Sequence, residues 1–341
     1  MKAVGLYQYL PIDNEESLVD VQIDRPEPGP RDLLVAVKAI AVNPVDTKLR
    51  APKSEPIVET TPRILGWDAA GEVVAVGDAV SQFQVGERVY YAGDVRRPGC
   101  YSEFQLVDER LVGKMPRTQD FTAAAAMPLT SLTAWEALFD RLGISRSGDD
   151  AGKSILIIGG AGGVGSVAIQ LATTLAGLKV TATASRTKSS MWIKQLGATH
   201  VVNHRNPVDQ GLHDIGIDAV DYVLCLADTD QHFMAMVNAI KPQGKICCVV
   251  DNREPLPLNL LKPKSATFVW EFMFTRSKFE TEDMDRQGWI LDRIAELIDN
   301  DQLITTVGDS IEPINAANLR LAHRQLETGS TVGKIVLAGW E

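Results

Sequence analysis

Ser154-Ile155-Leu156-Ile157-Ile158-Gly159-Gly160-Ala161-Gly162-Gly163-Val164-Gly165-Ser166 decides how this chain is read. The apolar run from Ile155 to Ile158 has the character of a strand buried on both faces. Gly160-x-Gly162-x-x-Gly165 follows it directly. Apolar residues at Val167, Ile169, Leu171, Ala172 and Leu175 then predict a helix over 164–176. Three glycines at this spacing mean little alone, but between a strand and a helix they fit a dinucleotide site. On this reading Gly160 permits the tight turn, Gly162 lets a diphosphate approach the backbone, and Gly165 lets the helix lie close to the strand. Ala161, Gly163 and Val164 complete the loop. Its free N–H groups and the positive end of the helix would hold the phosphates. The plainer alternative is a glycine-rich turn with no ligand.

The flanking pattern supports the ligand. Strand candidates at 154–158, 179–184, 200–203, 220–226 and 245–250 alternate with helix candidates at 164–176, 187–196 and 230–240. That alternation predicts a doubly wound parallel sheet. Lys241-Pro242-Gln243-Gly244 reads as a helix end and turn. Upstream, β patterns at 33–42, 71–77, 87–91 and 103–107, separated by Gly/Pro clusters, suggest a small barrel. Residues 49–63 contain three prolines and read as a surface loop. Ala123 to Pro128 leads into a helix candidate at 132–139. Downstream, 266–274 is an apolar strand candidate suited to a sheet edge, where it could pair with a second copy. Helices at 285–300 and 316–326 and a strand at 333–337 close the chain.

Composition narrows the function. The chain has 341 residues, 45% of them hydrophobic, and a formal net charge of −10. Without a dense Lys/Arg cluster, nucleic acid and anionic membrane surfaces are poor partners. No apolar run approaches the ~20 residues of a membrane helix. The N-terminus meets Tyr7, Gln8 and Asp13 too early for a signal peptide and reads as a first strand. Cys100, Cys225, Cys247 and Cys248 form no CxxC pair, which predicts reduced thiols and a cytoplasmic protein.

The second strand of the alternating region ends at Thr183-Ala184-Ser185-Arg186-Thr187-Lys188. An NAD site usually has an acid there for the ribose 2′-OH. Ser185, Arg186 and Lys188 instead offer a hydroxyl and two cations to a 2′-phosphate, so NADPH is the expected cofactor. A solvated loop is the alternative. His204, in Asn203-His204-Arg205, follows the next strand and could flank the same phosphate. His200, His213, His232 and His323 match no triad or ligand spacing and read as structural or surface residues.

Asn43-Pro44-Val45-Asp46, Gly66-Trp67-Asp68-Ala69-Ala70-Gly71-Glu72-Val73 and the Gly160 loop together resemble the medium-chain dehydrogenase/reductase superfamily over nearly the whole chain. The similarity is greatest to its zinc-independent quinone oxidoreductase branch. Trp270-Glu271-Phe272-Met273-Phe274-Thr275-Arg276 looks like a bacterial subgroup labelled zinc-type alcohol dehydrogenase-like. The resemblance implies a Rossmann domain (126–275) inserted into a chaperonin-10-like β-barrel catalytic domain (1–125 and 276–341). It aligns Asn43, Trp67 and Leu129 with the catalytic zinc ligands of the metal enzymes. None of the three is a thiolate or imidazole, so no metal is expected. It puts Asn43 and Asp46 on the substrate side and Thr133 against the nicotinamide. Trp67 would wall the pocket or fill the core, and Tyr91, Asp46 or water would supply a proton. Asn43 and Asp46 could equally be turn residues, and Thr133 a plain helix residue. The implied activity is NADPH-dependent reduction of a quinone or α,β-unsaturated carbonyl in a dry interdomain cleft, by a homodimer. A metal-independent alcohol or aldehyde reductase and a low-turnover NADPH-binding sensor are the alternatives.

Overall fold

Apolar Ala3, Val4 and Leu6 carry β1 (Lys2–Gln8) into the core. β2 (Val19–Gln22), β3 (Asp32–Ala41) and β4 (Val58–Ile64) follow. The computed structural model, which describes residues 1–340, pairs β2 and β4 with the two edges of β1. β4 corrects the expectation of a loop over 49–63. Its Pro62 is tolerated because β4 lies at a sheet edge, where a missing N–H costs no ladder bond. Gly5 admits this neighbour, since a Cβ there would lie 2.9 Å from that of Pro62. Between β3 and β4 runs the short helix α1 (Pro44–Arg50), with Pro44 at its first position. β5 (Ala69–Val76), β6 (Arg88–Tyr91), β7 (Phe104–Asp108) and β8 (Val112–Lys114) complete the N-terminal strands. α2 (Phe121–Ala125) and α3 (Pro128–Trp135) lead out of them. The helix expected at 132–139 thus starts earlier, and Glu136–Arg141 winds on as a π-helix.

Residues 130–273 form one of two compact units; the other comprises 1–129 and the segment from Phe274 onward. In the first, β9 (Ser154–Ile158), β10 (Lys179–Thr183), β11 (His200–Val202), β12 (Val220–Cys225), β13 (Ile240–Cys248) and β14 (Thr267–Trp270) form a parallel sheet in the order β11-β10-β9-β12-β13-β14. Ile155 to Ile158 are fully buried at its centre. Helices α4 (Gly163–Thr174), α5 (Thr187–Gln195), α6 (Val208–Asp214) and α7 (Thr229–Ala239) connect the strands. α6 carries little sequence signal, burying only Val208 and Leu212. Lys241 to Gly244 are not a helix end and turn. α7 stops at Ala239 and β13 begins at Ile240, with Gln243 at φ 63° where the pairing with β12 slips. The apolar run 266–274 contributes only the four-residue edge strand β14.

The chain then returns to the other unit through α8 (Thr275–Phe279), α9 (Arg286–Asp299), β15 (Val307–Ile311), α10 (Ala316–Glu327) and β16 (Lys334–Ala338). β16 enters a sheet ordered β15-β16-β3-β5-β6-β8, with β7 also on β3. It runs antiparallel to β3, with Val336 opposite Ala41. That register sets Lys334 beside the residues that follow β3.

Candidate active site

The glycine loop has the geometry a phosphate cradle needs, with the glycine roles redistributed. Gly159, rather than Gly160, makes the turn in the left-handed region, at φ 86°. Gly160 allows close packing, since a Cβ there would lie 2.8 Å from that of Ala182. At Gly165 a Cβ would lie 2.5 Å from the Gly159 carbonyl oxygen, so only glycine seats α4 on the loop. At Gly162 the nearest atom would be the Gly159 oxygen at 3.7 Å. The backbone there borders open space. Gly162 is the N-cap of α4 and no side chain caps it. The first N–H groups of the helix, around Ala161, Gly163 and Val164, are therefore available to an anion. This cradle fits the diphosphate of a dinucleotide.

At the end of β10, Ser185 is half-buried and Arg186 and Lys188 are exposed. Arg186 caps α5, where its N–H donates to Ser189 Oγ at 3.2 Å. Thr183 Oγ1 accepts from Gly159 N at 3.0 Å and lies 3.3 Å from His204 Nδ1, tying the loop to the strand after next. Burial first, then the charges of Arg205 and Arg186, lowers the His204 pKa. The fold thus gathers Arg186, His204 and Arg205 near one another without an acid at the strand end. Thr133 is buried on α3 in the same unit.

In the other unit, Asn43, Asp68 and Lys334 form a closed polar network inside the core. Lys334 Nζ donates to Val42 O at 2.9 Å, to Asp68 Oδ2 at 2.8 Å and to Asn43 Oδ1. Those three bonds use all the protons an ammonium has. Asn43 Nδ2 donates to Asp68 Oδ2 at 2.8 Å, and Leu129 N donates to Asp68 Oδ1 at 2.7 Å. Lys334 is 4% exposed and Asp68 fully buried. Burial raises the Asp68 pKa, against the Lys334 charge that lowers it.

Beside this network lies a second buried hydrogen-bonded chain. Asp46 Oδ2 accepts from Asn43 N at 2.8 Å and from the Tyr101 hydroxyl at 2.8 Å. Tyr101 lies 3.0 Å from His323 Nε2 on α10. A hydroxyl that donates to Asp46 has no second proton, so its oxygen accepts from His323 Nε2–H. Among the described residues, Asp46 Oδ1 and His323 Nδ1 have no hydrogen-bond partner. All three side chains are buried. Burial pushes Asp46 up to about 7, and it pushes His323, further opposed by the Arg50 charge, down to about 3.

Trp67 fills the core: it is 1% exposed, its Nε1 donates to Asp94 O at 3.2 Å, and it meets Phe274 edge-on. Tyr91 is equally buried, with an unpartnered hydroxyl whose pKa burial raises. The sequence reading singled out Asn43 and Asp46. It left Tyr101 unremarked, gave Lys334 only a place in a closing strand, and assigned His323 no role in a site. Among the described residues, no three His, Cys, Asp or Glu side chains converge on a metal position. Cys100 donates to the Asp68 carbonyl at 3.3 Å, and burial raises its pKa. Asn43, Trp67 and Leu129 do not fit zinc, which takes three or four ligands drawn from thiolate, imidazole and carboxylate groups.

Residues 29–117 match the family model of the alcohol dehydrogenase GroES-like domain, and residues 196–337 that of zinc-binding dehydrogenases. A zinc-type alcohol dehydrogenase-like protein of Staphylococcus epidermidis (strain ATCC 12228 / FDA PCI 1200) is 42% identical over 338 residues, 99% of each chain. The chloroplastic NADPH-dependent alkenal/one oxidoreductase of Arabidopsis thaliana is 34% identical over 244 residues, 68% of this chain and 61% of that one. A crystal structure from Rhizobium etli CFN 42, of a protein named after the zinc-dependent alcohol dehydrogenases, superposes with a TM-score of 0.94 at 44% identity. It covers 100% of this chain and 98% of the other. The word zinc belongs to the names of those proteins. With a GroES-like domain, a Rossmann-type parallel sheet and a relative matched end to end, the chain belongs to the medium-chain dehydrogenase/reductase superfamily of nicotinamide-dependent oxidoreductases.

Proposed function

We propose that the protein reduces a quinone or an α,β-unsaturated carbonyl with NADPH, without zinc. The observation that carries this reading is the Lys334 ammonium, held by Asn43, Asp68 and Val42 O in a network with no vacant donor. Alcohol oxidation at a metal depends on a Lewis acid to stabilise the alkoxide, and here the candidate donors are engaged by an internal cation. A conjugated acceptor spreads its developing charge and needs less help. When bound, the nicotinamide supplies the hydride. The chain supplies orientation: the α4 N–H groups hold the diphosphate, and Thr133 packs on the nicotinamide side. Asn43 and Asp46 serve the substrate side, with Trp67 and Tyr91 as its buried support. A screen of quinones, enals, enones, simple aldehydes and alcohols with either nicotinamide cofactor tests the reading. NADPH oxidation by the conjugated acceptors is the expected result; turnover confined to simple alcohols or aldehydes overturns it.

Ser185, Arg186, Lys188 and His204 favour NADPH over NADH. Charge-assisted hydrogen bonds to a 2′-phosphate contribute ~1.5–3 kcal/mol, a preference of roughly ten- to hundredfold. Arg186→Ala should weaken NADPH binding by that order and leave NADH nearly unchanged. Fluorescence titration of both cofactors measures it, and equal wild-type affinities would refute the assignment. The free edge of β14, with Trp270 exposed, supports a homodimer through that strand. Four buried free thiols support a reducing, cytoplasmic setting. Among the described residues, no helix is long and apolar enough to cross a membrane.

A further inference from the structure

We infer that His204 makes the choice of cofactor proton-linked: its imidazole takes up a proton when the 2′-phosphate of NADPH binds beside it. The inference rests on the NADPH reading above and lies wholly within the unit of residues 130–273. Strand register brings the groups together. β10 and β11 run parallel, with Thr183 opposite Val202. Two residues on, Ser185 and His204 leave the sheet from neighbouring strands at the same level, each followed by an arginine, Arg186 or Arg205. Both arginines are exposed and His204 is part-exposed, so the residue is open to solvent. Its Nδ1 lies 3.3 Å from Thr183 Oγ1, which accepts from Gly159 N at 3.0 Å. One hydroxyl thus joins His204 to the glycine loop that would hold the diphosphate.

These surroundings suit a histidine that is neutral alone and charged beside a phosphate. Burial, then the positive charges of Arg205 and Arg186, lowers its pKa. On α7, His232 also faces it, with Asp228 beside His232. The neutral ring is therefore the resting form in the neutral range. A phosphomonoester loses its second proton near pH ~6 and carries almost two negative charges above that. Seated between the two arginines, it offsets their charge and adds an attraction of its own, so the complex favours the imidazolium. The ring accepts the proton without losing its bond. Thr183 Oγ1 has two acceptor positions; Gly159 N–H takes one, and a charged ring donates Nδ1–H to the other. Nε2–H is then a second donor. The proton comes from solvent, and no covalent bond changes in the dinucleotide. Because the complex holds more protons than its free partners, NADPH affinity rises as pH falls through the neutral range. NADH carries a neutral hydroxyl in place of the phosphate and should show no such slope.

Calorimetry of the whole protein, in neutral buffers of differing ionisation enthalpy, counts the protons. NADPH binding should take up roughly half a proton or more, and NADH binding none. NADPH should bind roughly three- to tenfold tighter at pH ~6.5 than at pH ~8. His204→Gln should keep the wild-type melting temperature and NADH affinity, lose the uptake and flatten the slope. Unchanged uptake in that variant overturns the inference, as does wild-type binding with no uptake. NMR titration of the wild-type histidine rings decides the matter if the variant fails to fold. The His204 pKa should rise by about one unit or more with NADP+ and stay in place with NAD+. A ring that titrates alike in the free protein and both complexes overturns the inference. These outcomes separate it from the reading beneath it. NADPH preferred over NADH but bound without a proton leaves the cofactor reading standing and removes the linkage; equal affinities remove both.

Discussion

Gly162→Val should abolish cofactor binding while leaving the fold nearly as stable as wild type. The N-cap position has φ −73° and ψ 177°, extended backbone that any residue adopts. A Cβ there would meet nothing closer than 3.7 Å, so the new side chain enters open space. On the proposed reading, that space is where a diphosphate meets the α4 N–H groups. The substitution therefore acts through steric exclusion of the ligand. Thermal melts separate this from a general loss of stability. A ligand at 100 times its dissociation constant stabilises wild type by about 2.7 kcal/mol. The variant should melt close to the cofactor-free wild type and show no NADPH shift. Gly165→Val is the contrasting control. Its Cβ would lie 2.5 Å from the Gly159 oxygen, so that variant should lose stability even without ligand. A wild-type NADPH shift in Gly162→Val would show that this loop is not the phosphate site.

The strand-turn-helix unit was legible because its parts are contiguous: a buried strand, a glycine turn and an amphipathic helix follow one another within twenty or so residues. Local signals failed where tertiary context decided. Three prolines concealed β4, which tolerates Pro62 only because its neighbour lies on one side. Pro242 and Gly244 suggested a turn, yet both lie inside β13. The polar networks were the least legible. Asn43 and Asp46 stood out as an Asn-Pro-x-Asp turn, but their partners are remote. Tyr101 and His323 are 222 residues apart, and Lys334 is 291 residues from Asn43. No spacing motif connects them. The antiparallel register of β16 on β3 brings Lys334 to its acceptors, and the apolar stripe of α10 turns His323 inward. In sequence terms both are an ordinary lysine at a strand start and an ordinary histidine on an amphipathic helix.

Lys334→Met should destabilise the unit containing β3 and β16 by roughly 3–5 kcal/mol, the usual cost of removing one partner of a buried ion pair. Methionine has nearly the length of the lysine stem, so the loss is mainly of charge and hydrogen bonds. Three acceptors lose their donor at once: Val42 O, Asn43 Oδ1 and Asp68 Oδ2. Asp68, fully buried, then keeps a negative charge held only by Asn43 Nδ2 and Leu129 N. The defect should depend on pH with a defined sign. Burial already raises the Asp68 pKa, and the Lys334 charge and hydrogen bond oppose that rise. Removing both raises it further, so the variant takes up a proton on Asp68 at a pH where wild type does not. Stability lost in the variant should be smallest in acid and should grow as pH rises through the new Asp68 pKa. Adding Asp68→Asn removes the stranded charge, so the double variant should cost less than the sum of its parts. Urea unfolding of the four proteins at acid and alkaline pH measures the coupling. Additive losses that do not change with pH would mean that Lys334 and Asp68 do not act as an ion pair.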